Sequence, residues 1–193
     1  MVLTCCNLAG QQPELLKNIN YGSAGSYISY MTRCGVRVIF KATNSGNTNN
    51  ELWVTDGTAD GTYLLKEINP SATTGSDIGQ MIIFKNEAYF SASDGTHGSE
   101  LWKSNGTAEG TVMVKDIAPG SQGSQPGYLV VWNNNLYFRA FHPDYGTELW
   151  RTGGTAESTQ LVADITPGAV STYPGYIYPT SCGLYFNGLN NLF

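Results

Sequence analysis

Short apolar runs alternate with polar turns along this chain, and the same order of runs comes back. Leu52-Trp53-Val54 leads into Thr55-Asp56-Gly57-Thr58, and Tyr63-Leu64-Leu65 follows directly. Leu101-Trp102, Ser104-Asn105-Gly106-Thr107 and Val112-Met113-Val114 repeat it, and Leu149-Trp150, Thr152-Gly153-Gly154-Thr155 and Gln160-Leu161-Val162 repeat it loosely. Two strand-length apolar runs joined by a Gly-bearing turn predict a β-hairpin. Glu51, Glu100 and Glu148 mark one register, at a period of 49 and then 48 residues. Two further marks occur four times: Leu15, Leu64, Met113 and Leu161, and the pairs Ile39-Phe40, Tyr89-Phe90, Tyr137-Phe138 and Tyr185-Phe186. A period of 40 to 50 residues holding several short strands is the mark of propeller blades.

The best-preserved unit predicts strands over 127–132, 136–141, 147–152 and 160–165. Its loops are short, so successive strands are antiparallel and four of them make one blade. Asn69-Pro70, Pro119-Gly120 and Pro167-Gly168 carry the chain to the next blade, since proline is excluded from the middle of a ladder. At the C-terminal end only two strands of a further unit are expected, 176–179 and 184–189. At the start, 2–7 falls in register with 51–56 and 15–19 with 64–68, so the N-terminal segment is expected to complete the last blade. The fold class is therefore all-β, a single propeller domain of four-stranded antiparallel blades. Four blades are expected: 20–68, 69–117, 118–165, and a shared blade made from 1–19 and 166–193, which leaves no open sheet edge. An eight-bladed ring built from two chains is the alternative, which makes a homo-oligomer a possible partner state.

Composition narrows the partners. Charged residues are 13% of the chain, Gly has 23 copies, and the net charge is −5. No basic stripe offers a footprint for nucleic acid or an anionic membrane, and no apolar run reaches the length of a membrane span, so neither nucleic-acid binding nor membrane insertion is expected. The low charge and polar, Gly-rich loops point to a secreted or cell-surface protein, although residues 1–10 have neither a basic start nor a long apolar middle. Cys5, Cys6, Cys34 and Cys182 lack metal-ligand spacing, and His97 and His142 lie far from them, so no metal and no cofactor is expected. Cys34 and Cys182 both fall at the turn between first and second strands of blades that ring closure would make neighbours. A Cys34–Cys182 disulfide is the expectation. Cys5 and Cys6, adjacent on a strand, would point to opposite faces.

The stretch Glu100-Leu101-Trp102-Lys103-Ser104-Asn105-Gly106-Thr107-Ala108-Glu109-Gly110-Thr111, with Ser93-Asp94-Gly95-Thr96 before it, resembles the ELWxxDGT-repeat β-propeller family of bacterial-type surface and secreted proteins. The resemblance covers nearly the whole chain. It implies architecture and an extracellular setting, and it implies no enzymatic activity. Two departures stand out: Asp56 becomes Asn105 and then Gly153, and Gly61 becomes Ser158.

Repeated features read as framework. The Asp-Gly turns cap their own backbone without a ligand. Trp53, Trp102 and Trp150, recurring at one register, fit packing between blades better than ligand stacking. Asn105-Gly106-Thr107 is also a glycosylation acceptor sequence. Features that differ between blades are the better sites. The loops 43–50, 93–99 and 142–146 share one face with the crossovers 20–26, 69–79, 118–127 and 166–175, because connections in an antiparallel blade alternate between ends. Asn44, Asn47, Asp94, His97, His142, Asp144 and Tyr145 supply that face with amides, carboxylates, imidazoles and a phenol suited to sugar rings. The acids Asp77, Asp94 and Asp144 sit in different blades and no nucleophile elbow occurs, so catalysis is not expected, and a channel hydrolase is the weakest alternative. The function expected is non-catalytic, lectin-like binding of a glycan or other cell-surface or matrix ligand. The second reading is an adhesion scaffold acting through protein contacts or self-assembly.

Overall fold

The computed structural model describes residues 14–21, 25–44, 50–71, 74–189 and 191–193. Those residues form strands, turns and extended segments, with no helix. β1 (Ser29–Cys34), β2 (Arg37–Thr43), β3 (Asn50–Thr55) and β4 (Tyr63–Lys66) make the first sheet. β5 (Ile82–Phe84), β6 (Glu87–Ser93), β7 (Ser99–Ser104) and β8 (Val112–Lys115) make the second. β9 (Gly127–Trp132), β10 (Asn135–His142), β11 (Gly146–Thr152) and β12 (Gln160–Ala163) make the third, within two residues of the strand limits read from the sequence. In each sheet the strands lie side by side in chain order, all antiparallel.

The fourth sheet has three strands: β13 (Gly175–Pro179), β14 (Leu184–Gly188) and β15 (Asn191–Leu192). The place beside β14 is taken by β15, and Phe186 and Phe193 exchange backbone hydrogen bonds at 3.1 and 2.9 Å. Phe193 thus holds the register of Trp53, Trp102 and Trp150 opposite Phe40, Phe90 and Phe138. Residues 2–7, expected beside β14, lie outside the described residues. Residues 15–19, expected as a strand, form none. Leu16 and Ile19 instead pack on Phe40, Ala42 and Trp53 of the first sheet, and Lys17 donates to the Ala59 carbonyl at 2.9 Å. Lys66 and Lys115 make the same kind of bond to the following sheet, at Ala108 (3.2 Å) and Thr159 (3.0 Å).

Period-2 alternation gives every sheet two apolar faces, and facing pairs fill the gaps between successive sheets. Ile39, Leu52 and Val54 of the first sheet meet Phe90, Ala92 and Trp102 of the second. Tyr89 and Leu101 of the second meet Phe138, Ala140 and Trp150 of the third. Tyr137 and Leu149 of the third meet Phe186 and Ile177 of the fourth, where Trp132 also donates to the Thr180 carbonyl at 2.8 Å. The recurring tryptophans are therefore buried wedges facing the preceding element.

The expected Cys34–Cys182 disulfide is absent, and both thiols are free. Cys34 is buried against the second sheet, its Sγ 3.3 Å from the Asn86 carbonyl, and burial raises its pKa, whereas Cys182 is exposed on the fourth sheet. Neighbourhood across a ring closure was the basis for pairing them, and Cys34 faces the following sheet instead. Cys5 and Cys6 lie outside the described residues.

Candidate functional site on the crossover face

The crossovers 69–79, 118–127 and 166–175 are each anchored by one of the repeated glutamates. Glu51, Glu100 and Glu148 are fully buried. Glu100 accepts from the backbone N–H of Ala118 (3.1 Å) and Ser124 (2.9 Å) at Oε1, and from Ile117 N–H (3.2 Å) and Ser124 Oγ–H (2.5 Å) at Oε2. Glu51 accepts from Ile68 N–H at 2.8 Å and from the Ser76 hydroxyl, and Glu148 from Thr172 N–H at 2.8 Å. Burial pushes all three carboxyls above the ordinary range against the lowering effect of these donors. The same crossover residues then reach forward to the next sheet: the carbonyls of Ser76, Ser124 and Thr172 accept from Ser93, Phe141 and Leu189 at 2.7, 2.7 and 3.1 Å. Backbone approach is close enough that a Cβ on Gly98 would lie within 2.5 Å of Gly123 N, and Gly98 has φ of +67°.

These anchored crossovers carry a recurrent distortion. Asp77, Gln125 and Tyr173, each one residue after the anchoring Ser or Thr, and Tyr27, which follows Ser26, all have left-handed φ between 44° and 54°. Three residues further on, Tyr30, Tyr128 and Tyr176 also have φ of 46–55°, each at a register shift in the first strand of its sheet. Left-handed φ is costly for a bulky residue, and bulges of this kind re-aim side chains. Here they leave tyrosines partly exposed on the crossover face.

A groove of about 670 Å³ opens on that face across the first two junctions. Tyr30, Lys41, Asn69, Asp77, Ser91 and Gln125 give it its chemistry: an aromatic ring, a cation, amides, a carboxylate and a hydroxyl. Lys41 Nζ lies 5.8 Å from the Tyr30 ring centre and 3.4 Å from the Ile78 carbonyl. At the third junction a smaller pocket of about 170 Å³ is lined by Ser124, Gln125, Arg139, Phe141, Thr147 and Tyr173. Lys41, Ser91 and Arg139 hold one register, opposite Leu52, Leu101 and Leu149, so a constant frame presents a different side chain at each junction.

Of the residues singled out from sequence, Asp94, His97, His142 and Asp144 spend polar groups on their own loops. Asp94 Oδ1 accepts from Thr96 and His97 N–H at 2.8 and 2.9 Å, and Oδ2 lies 2.7 Å from His97 Nδ1. Burial would raise the Asp94 pKa, but the bonds from His97 and Thr96 outweigh it and hold the carboxyl low. The Asp94 bond and charge push the His97 imidazole up. Gly95 and Gly98 of that loop border the groove while Asp94 and His97 do not. His142 Nδ1 accepts from Asp144 N–H at 3.1 Å, and its ring stacks on Tyr145 at 4.9 Å with Trp150 beneath at 6.0 Å. Tyr145 packs on the second core cluster. Asn44 is half-buried, and Asn47 lies outside the described residues. The tyrosines of the first strands were missed because a bulge has no mark in the apolar pattern. Their recurrence at Tyr30, Tyr128 and Tyr176 was the signal available.

Among the described residues, no three His, Cys, Asp or Glu side chains converge as metal ligands. No protein-family model matches the chain, and no curated protein matches it.

Proposed function

We propose that the protein is a non-catalytic, extracellular β-propeller of the ELWxxDGT-repeat kind that binds glycans through its crossover face. The observation that carries this is the polar groove bordered by Tyr30, in which amides, a hydroxyl, a carboxylate and an ammonium surround one exposed aromatic ring. Sugars are bound by that combination: a ring for the C–H face and short polar groups for the hydroxyls. The groove is open and poor in apolar lining, which suits a hydrated saccharide better than an apolar ligand. A glycan-array screen tests it: wild type binds a defined set of glycans and Tyr30→Ala loses about two- to tenfold in affinity, the scale of one stacking contact. An array with no ligand above background would end the reading.

A second reading, assembly through sheet faces, is favoured by one observation. On the fourth sheet Tyr178, Tyr185 and Leu192 are 68%, 45% and 76% exposed, although the residues equivalent to Tyr185 and Leu192 in the other sheets are buried against the next sheet. This supports the eight-bladed ring of two chains over the closed four-bladed monomer. The two functions are compatible, since a ring of repeated blades offers several weak sites in one assembly.

A further inference from the structure

We propose that the pocket at the third junction binds an oxyanion, the carboxylate or sulfate group of an acidic saccharide, through Arg139. This rests on the glycan-binding reading and names the class of glycan.

The chain has four arginines, and three of them are committed. Arg33 donates to the Gly35 carbonyl at 3.0 Å, Arg37 to the Gly106 carbonyl at 3.1 Å, and Arg151 faces the Gln160 side-chain amide, whose oxygen accepts from it at 2.6 and 3.0 Å once the amide is turned over. Arg139 has no hydrogen-bond acceptor and no ion pair among the described residues. Its guanidinium is held over the Tyr128 ring at 4.7 Å, and that ring lies 6.1 Å from Tyr176. Stacking occupies the flat face of a guanidinium and leaves the N–H groups at its edge available, in the fork that matches a carboxylate or sulfate.

The position is supported from both sides. Arg139 is paired with Gly127 across the bulged ladder, where the absence of a side chain leaves open the space beside the guanidinium. The other polar groups around the pocket come from Ser124, Gln125, Thr147 and Tyr173, and none of its lining residues is acidic. A half-buried arginine without an anion is costly to keep desolvated, and an anion from outside would complete it. The groove at the first two junctions differs in including Asp77, which disfavours an anion there. The two sites thus divide the work, neutral hydroxyls in the groove and a negative group in the pocket.

The experiment is calorimetric titration of wild type, Arg139→Gln and Arg139→Lys with glucose, glucuronate, a sulfated disaccharide and inorganic sulfate, with melting curves to establish folding. The expected result is acidic sugar bound at least about tenfold more tightly than glucose by wild type, with a preference that falls as salt rises. That preference is lost in Arg139→Gln and only partly kept in Arg139→Lys, which lacks the fork. Equal affinity for glucose and glucuronate, or an acidic preference unchanged in Arg139→Gln, overturns the inference and leaves glycan binding standing. Sulfate binding that depends on Arg139 without any acidic-sugar preference overturns the saccharide assignment alone. Failure of every sugar and of sulfate overturns the inference, while the glycan reading is decided by the array.

Discussion

The third hairpin turn shows how one residue can take over the work of another. In the first turn Asp56 Oδ1 accepts from Thr58 N–H (2.9 Å) and Oγ1–H (2.7 Å), and its carboxylate fills the space above Gly61, where a Cβ would collide with it. Asn105 does the same over Gly110 in the second. In the third, Gly153 leaves that space empty and Ser158 fills it from the other side, its Oγ accepting from Gly153 and Thr155 N–H at 3.1 and 3.0 Å. The loss of the acid at position 153 therefore removes no site. In the first turn Gly61→Ser is expected to destabilise, and Asp56→Gly in the same chain to recover part of the loss. Denaturant melts of the double-mutant cycle should give a coupling of about 0.5–3 kcal/mol, and additivity would refute the exchange. The substitutions were visible in the sequence, but their contact was not, because a spacing of five residues in a turn does not say which side chains meet.

The buried glutamates were legible only as a register mark, since nothing in an alternating strand pattern says that a recurring Glu points inward. Their pH dependence follows from burial. A carboxyl whose folded pKa is raised favours the folded state below its unfolded value, and that contribution is lost as pH rises through the folded pKa. Stability should therefore fall from about pH 4.5 upward in the part due to Glu51, Glu100 and Glu148, and Glu100→Gln should flatten that slope in melts run across pH. Glu100→Ala, which orphans three backbone N–H groups and a hydroxyl, should cost about 3–5 kcal/mol.

At the scale of elements, the hairpins and strands were readable and the site was half readable. Alternation and Gly-bearing turns placed β9 to β12 within two residues, and the alternation of ends placed loops and crossovers on one face. What the pattern lacked was direction. Asp94, His97, His142 and Asp144 are polar loop residues, and short loops use such groups to satisfy their own backbone before any ligand. The groove is built instead from crossovers that the glutamates anchor and from Tyr30, which a bulge turns outward. Wedge and site are separable in consequence. Trp150→Ala should cost about 3–5 kcal/mol in stability by opening the gap between second and third sheets, with the glycan affinity of the folded fraction unchanged. A parallel loss of affinity would tie the tryptophan to the site.

For the whole molecule, the repeat gives each sheet two apolar faces, and among the described residues one face of the fourth stays exposed at Tyr178, Tyr185 and Leu192. The expected place of residues 2–7 beside β14 rested on counting strands, and counting cannot register that β15 stands there. A dimer or larger species in sedimentation, reduced to monomer by Tyr185→Lys, supports assembly through this face. A monomeric wild type would count against it.

If ligand binds on the crossover face and the hairpin turns at the other end are framework, the two ends must respond differently to a glycan. Backbone amide shifts followed by NMR during titration with an array-selected glycan test it most directly. Residues 74–79, 93–99 and 121–126 are expected to shift together with Tyr30 and Lys41. Shifts confined to the turns 56–61, 105–110 and 153–158 would contradict it.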